Sequence, residues 1–138
     1  EEAKQAHIIN DLHLSGRDEE LPYEGMELTT VVAEAARMVR LEHGPVSFPM
    51  NFVGVAIGNV ALFGIPGEPF TGVGRGLKEA AGWDLVLPCC LTNGCRGYFP
   101  MIDAYQEGGY EARSSSFKAG SAELIVEEGC KLLDALRA

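Results

Sequence analysis

The sequence predicts a mixed α/β chain, a sheet with helices packed against it. β-branched apolar runs alternate with segments of helical period. Gly58-Asn59 separates two such runs and signals a hairpin. A third apolar run, Leu85 to Leu91, reads as a buried strand.

Taken in order, residues 1–25 form a mixed segment, a loop or partial element, with turn chemistry in Ser15-Gly-Arg-Asp-Glu-Glu-Leu-Pro22. The polar, helical-looking start implies that the chain begins inside a longer protein. Residues 26–138 carry the main elements. A helix is expected from about Glu27 to His43, where Leu28, Val32, Ala35 and Val39 recur at helical spacing and Gly44-Pro45 stops it. Phe52 to Ile57 and Val60 to Ile65 are the hairpin strands. Phe70, Val73, Leu77 and Ala81 mark a short amphipathic helix. Pro88 would break a ladder, so the strand from Leu85 belongs at an edge or bulge. An irregular stretch rich in Gly, Ser and Tyr precedes a last helix from about Ser121 to Leu136, striped by Ile125, Leu133 and Leu136.

Eleven basic against twenty acidic residues give a net charge of −9, so no basic stripe exists to hold nucleic acid or an anionic membrane surface. Cys89, Cys90, Cys95 and Cys130 fit no structural zinc spacing and include an adjacent pair, which favours free thiols and a cytoplasmic setting. No stretch approaches the roughly 18–20 apolar residues of a transmembrane segment, and the first residues are not a signal peptide.

Two polar residues follow apolar runs in glycine-rich turns. Glu68 lies in Gly64-Ile-Pro-Gly-Glu-Pro-Phe-Thr71, and Tyr98 in Asn93-Gly-Cys-Arg-Gly-Tyr-Phe-Pro100. Glu68 reads either as a helix cap before Pro69 or as a functional carboxylate, and Glu is a poor cap. Tyr98, Tyr105 and Tyr110 read either as packing aromatics or as site residues. Gly72-Val-Gly-Arg-Gly76 has the look of a phosphate loop without the full fingerprint. His7, His13 and His43 lack metal spacing and read as structural or solvent-facing.

The stretch from Val53 to Leu136 resembles the C-terminal part of the neutral/alkaline, non-lysosomal ceramidase family, in its short bacterial form. The matching pieces are Ile57-Gly-Asn-Val-Ala-Leu-Phe-Gly-Ile-Pro-Gly-Glu-Pro-Phe-Thr71, Gly74-Arg75, Asn93, Tyr98, Tyr105-Gln-Glu-Gly-Gly-Tyr-Glu-Ala112, Ser114-Ser115 and Gly120-Ser-Ala-Glu-Leu124. The resemblance implies a zinc-dependent amide hydrolase acting on an N-acyl amide or lipid-like substrate. It implies that Glu68 and Tyr98 are zinc ligands and that Tyr110 places its hydroxyl beside the reacting carbonyl. The two zinc histidines and the family's serine are implied far upstream, outside this chain, so the piece alone is expected to be inactive. The same resemblance makes the fold the C-terminal portion of a larger layered α/β catalytic domain. Its sheet would be completed by the missing N-terminal half or a second copy, leaving exposed apolar edges here. Two other readings stay open: a structural or interaction domain that keeps the fold without the metal, and a small-ligand module using the Gly72–Gly76 segment.

Overall fold

The computed structural model describes residues 1–47, 49–80 and 82–137. The chain is a mixed α/β protein in two compact units, residues 1–48 and 49–138, each with its own apolar core.

The first unit is a pair of helices, α1 (Glu2–Leu14) and α2 (Gly25–Glu42), joined through a short 3-10 turn at Asp18–Glu20. A full helix therefore stands where the sequence reads as mixed. Its stripe is faint because α1 buries only Ala6 and Ile9 among polar neighbours, with Leu12 partly covered. The helix closes where the Ser15 hydroxyl donates to the Asp11 carbonyl at 2.7 Å. In α2 the expected stripe is real: Val32 and Ala35 are buried, and Leu28 and Val39 pack on the same cluster.

The second unit begins with a hairpin of β1 (Val53–Ile57) and β2 (Val60–Gly64). Gly58 holds the first turn position at φ +58°, a backbone shape that a two-residue hairpin demands of glycine. Helix α3 (Thr71–Lys78) then crosses over to β4 (Leu85–Cys89), which pairs parallel with β2. Ala81, the last apolar position expected of this helix, lies outside the described residues. The sheet order β1-β2-β4 puts Pro88 on an edge strand, where its missing N–H costs no inner ladder bond. β4 stops two residues short of Leu91, because Leu91 takes φ +55° and breaks the extended run.

A second, smaller sheet pairs β3 (Glu68–Pro69) with β5 (Tyr98–Phe99). Two short helices, α4 (Ala104–Glu107) and α5 (Tyr110–Ser114), occupy the stretch read as irregular, and α6 (Ser121–Ala135) follows. Phe63, Ile65, Val73, Leu77, Phe99 and Leu133 are fully buried and form the core with α6. Gly129 lets α6 approach closely, since a Cβ there would lie 2.4 Å from Leu77 Cδ2.

Side-chain alternation gives the larger sheet two unlike faces. Ala61, Phe63 and Val86 point into the core. The opposite face carries Val53, Val55 and Ile57 beside Val60 and Leu62, then Leu85 and Leu87. Ile57 is 67% exposed and Val55 48%, so this aliphatic surface is open. Among the described residues no helix is long and apolar enough to cross a membrane.

Candidate active site

The site begins with a tight turn. After β2 the chain reverses at Ile65-Pro66-Gly67, where the Gly67 N–H donates to the Ile65 carbonyl at 2.9 Å. A Cβ on Gly67 would lie 2.4 Å from the Phe99 ring and 2.7 Å from the Gly97 carbonyl. Only glycine lets the turn seat against β5 this closely. The next residue, Glu68, donates its N–H to Gly97 O at 2.9 Å, and Phe70 donates to Phe99 O at 3.1 Å.

These bonds set Glu68 directly opposite Tyr98 and Pro69 opposite Phe99, in parallel register. In-register partners project to the same side of a sheet, and successive residues to opposite sides. Phe99 goes into the core, so Glu68 and Tyr98 share the other side. There both line an open cavity of about 650 Å³. The cap reading of Glu68 falls: α3 starts at Thr71 with Phe70 before it, and Pro69 is a strand residue.

The Tyr98 phenol is held above its ordinary pKa of 10.0, first by the neighbouring Glu68 carboxylate, then by desolvation, Tyr110, Glu111 and Cys95. The negative field of Glu68 keeps the phenol protonated. Tyr110, first residue of α5, meets the Tyr98 ring edge-on, with centroids 6.0 Å apart and planes at 76°. The structure thus gathers Glu68, Tyr98 and Tyr110, which lie in three separate segments of the sequence.

The cavity also recruits side chains that carried no role in the sequence reading. Asp103, Glu107 and Glu111 add carboxylates, and Arg75 on α3 adds the cation of the lining. Gly72 leaves room for Met101, whose Cγ and Sδ would each lie 2.8 Å from a Cβ there. Gly72–Gly76, which lack the full phosphate-loop fingerprint, form the body of α3, and Gly76 faces Val126 of α6, 2.6 Å from where its Cβ would sit. Gly76 thus serves the packing of α3 on α6, and Gly72 the approach of Met101.

Tyr105 is a structural residue. Its hydroxyl donates to the Phe117 carbonyl at 2.9 Å and lies 3.1 Å from Ser115 Oγ. Nothing in the spacing of Tyr105 and Ser115 announces this contact, which depends on the turn between α4 and α5.

Glu68 and Tyr98 suit a divalent cation chemically: one carboxylate and one phenol lie side by side, and a cation would offset the carboxylate field that opposes phenolate formation. Histidines are not part of the second unit. His7 Nε2 pairs with Glu42 at 2.7 Å and His13 Nδ1 with Asp18 at 2.9 Å, both inside the first unit. Among the described residues no group of three or more His, Cys, Asp or Glu side chains is arranged to hold a metal. Glu68 and Tyr98 supply two oxygen donors, fewer than the three protein ligands usual at a catalytic zinc. Cys89, Cys90, Cys95 and Cys130 are free thiols.

Comparison with known protein families, with curated proteins and with solved structures finds no match for this chain.

Proposed function

We propose that the chain is part of a zinc-dependent amide hydrolase of the neutral-ceramidase type, cleaving an N-acyl amide or a lipid-like relative. The observation that carries this reading is the direct register of Glu68 with Tyr98, both opening onto one cavity with Tyr110 beside them. The proposed roles follow the chemistry of each group. Glu68 supplies a charged oxygen and Tyr98 a phenolic one toward the metal, with histidine ligands contributed from outside this chain. Zinc, when bound, would polarise the amide carbonyl and lower the pKa of bound water towards 7. Tyr110 donates a hydrogen bond to the substrate oxygen as negative charge develops on it. Addition of water across the amide bond then yields a carboxylic acid and an amine. We place the protein in a reducing, cytoplasmic setting, in keeping with its free thiols.

The test is metal analysis of the parent protein beside Glu68→Gln and Tyr98→Phe variants, followed by a panel of N-acyl amides. Both variants are expected to lose zinc. Full zinc retention in both would sink the ligand assignment.

A second reading, an interaction domain that keeps the fold without the metal, is favoured by the open aliphatic face of the larger sheet. A zinc-free parent protein that still captures a partner through this face would support it.

A further inference from the structure

We infer that Ser115 is a positioning residue that sets Tyr98 and Tyr110 against each other. The inference rests on the reading of these two tyrosines as metal ligand and hydrogen-bond donor, and adds what holds them in place.

Strands β3 and β5 are two residues long, too short to fix their own geometry. β3 uses the carbonyls of Gly97 and Phe99, on one side of β5. The carbonyl between them, that of Tyr98, takes the Ser115 hydroxyl as its donor at 3.0 Å. Ser115 is 7% exposed and makes full use of its oxygen. Besides donating to Tyr98 it accepts the Phe117 N–H at 3.1 Å and lies 3.1 Å from the Tyr105 hydroxyl. Phe117 in turn packs its ring on Phe99, with centroids 4.5 Å apart. Segment 115–117 therefore grips β5 at both of its residues, Tyr98 by the backbone and Phe99 by the ring.

The same serine immediately follows α5, whose first residue is Tyr110. One hydroxyl thus ties the exit of the Tyr110 helix to the backbone of Tyr98. Ser115 is buried, with its oxygen taken up by Tyr98, Tyr105 and Phe117, so it acts through the tyrosines and not on substrate.

The test compares Ser115→Ala, Ser115→Thr and Tyr105→Phe in the 138-residue chain. The first readout is the through-space NMR contact between the Tyr98 and Tyr110 rings, with the methyls of Val73, Leu77 and Leu133 reporting the core. The second is zinc content of the parent protein carrying the same changes. Ser115→Ala is expected to lose the ring contact with core signals kept, and to weaken zinc binding by about tenfold or more. Ser115→Thr, which keeps the hydroxyl, is expected to restore both. An intact ring contact in Ser115→Ala would overturn the inference. Should that variant fail to fold, Tyr105→Phe decides: it is expected to loosen the ring contact, and an unchanged contact overturns the inference equally. Zinc retention in Glu68→Gln and Tyr98→Phe would strike only the ligand reading, because the ring contact is measured without metal.

Discussion

Glu68 faces Tyr98 across two adjacent strands, and its carboxylate is the leading reason that the phenol resists ionisation. Glu68→Gln removes that field and should bring the Tyr98 pKa down towards the ordinary phenol value. An ultraviolet difference titration, with Tyr98→Phe as the subtraction blank, reads this directly. The sign for stability follows from linkage. A folded pKa raised above the unfolded value means that the contribution of Tyr98 is complete below pH about 10 and fades as pH rises through the folded pKa. An identical Tyr98 titration in the Glu68→Gln variant would contradict the assignment.

Gly67 and Gly74 should respond oppositely to alanine. At Gly67 the new methyl meets the Phe99 ring and the Gly97 carbonyl, so Gly67→Ala should cost about 1–3 kcal/mol. At Gly74, inside α3, the nearest atom is Pro88 Cγ at 3.8 Å. There alanine meets ordinary contact distance and should stabilise by about 0.5–1 kcal/mol through helix propensity. Urea unfolding midpoints of the two variants distinguish the cases.

Tyr110 and Tyr98 should separate in kinetics. On the proposed amide-hydrolase reading, Tyr110→Phe is expected to leave zinc in the parent protein while lowering kcat by about 10²–10³ on its best N-acyl amide, with KM little changed. Tyr98→Phe should lose metal and activity together. Equal kcat in Tyr110→Phe and the unmodified protein would remove Tyr110 from the proposed reaction.

The open sheet face predicts self-association of the isolated chain. Val55, Ile57, Leu85 and Leu87 are all at least 40% exposed on one surface. Sedimentation at rising concentration should show weight-average mass increasing, and Val55→Lys with Leu87→Lys should abolish the increase. A compact monomer at every concentration would count against this.

The sequence shows plainly those elements whose side chains repeat with a period. The α2 stripe of Val32 and Ala35 and the Gly58 hairpin are examples, and both fall where the pattern puts them. Pro88 also announces its edge position. Glu68 and Tyr98 stand out by their glycine-rich turns, but their register does not. Two-residue strands have no period to detect, and their pairing depends on the Gly67 turn meeting Phe99. Helix α1 is faint because Ala6 and Ile9 are a thin stripe in a polar segment. The Ser115 contacts and the carboxylates of Asp103, Glu107 and Glu111 are set by short helices, each too brief for an amphipathic signature.

The smallness of the β3–β5 sheet has a thermodynamic consequence. Its two strands come from distant parts of the chain and hold only a few ladder bonds, so Glu68 and Tyr98 are neighbours only in the native state. Unfolding separates them, and an unfolded chain offers a shared ligand no comparable pair of oxygens. Any ligand gripped by both side chains therefore binds the folded form selectively and raises its stability with the logarithm of ligand concentration once binding saturates. A thermal shift on adding a divalent cation, lost in Tyr98→Phe, would register occupancy of this pair without any knowledge of the substrate.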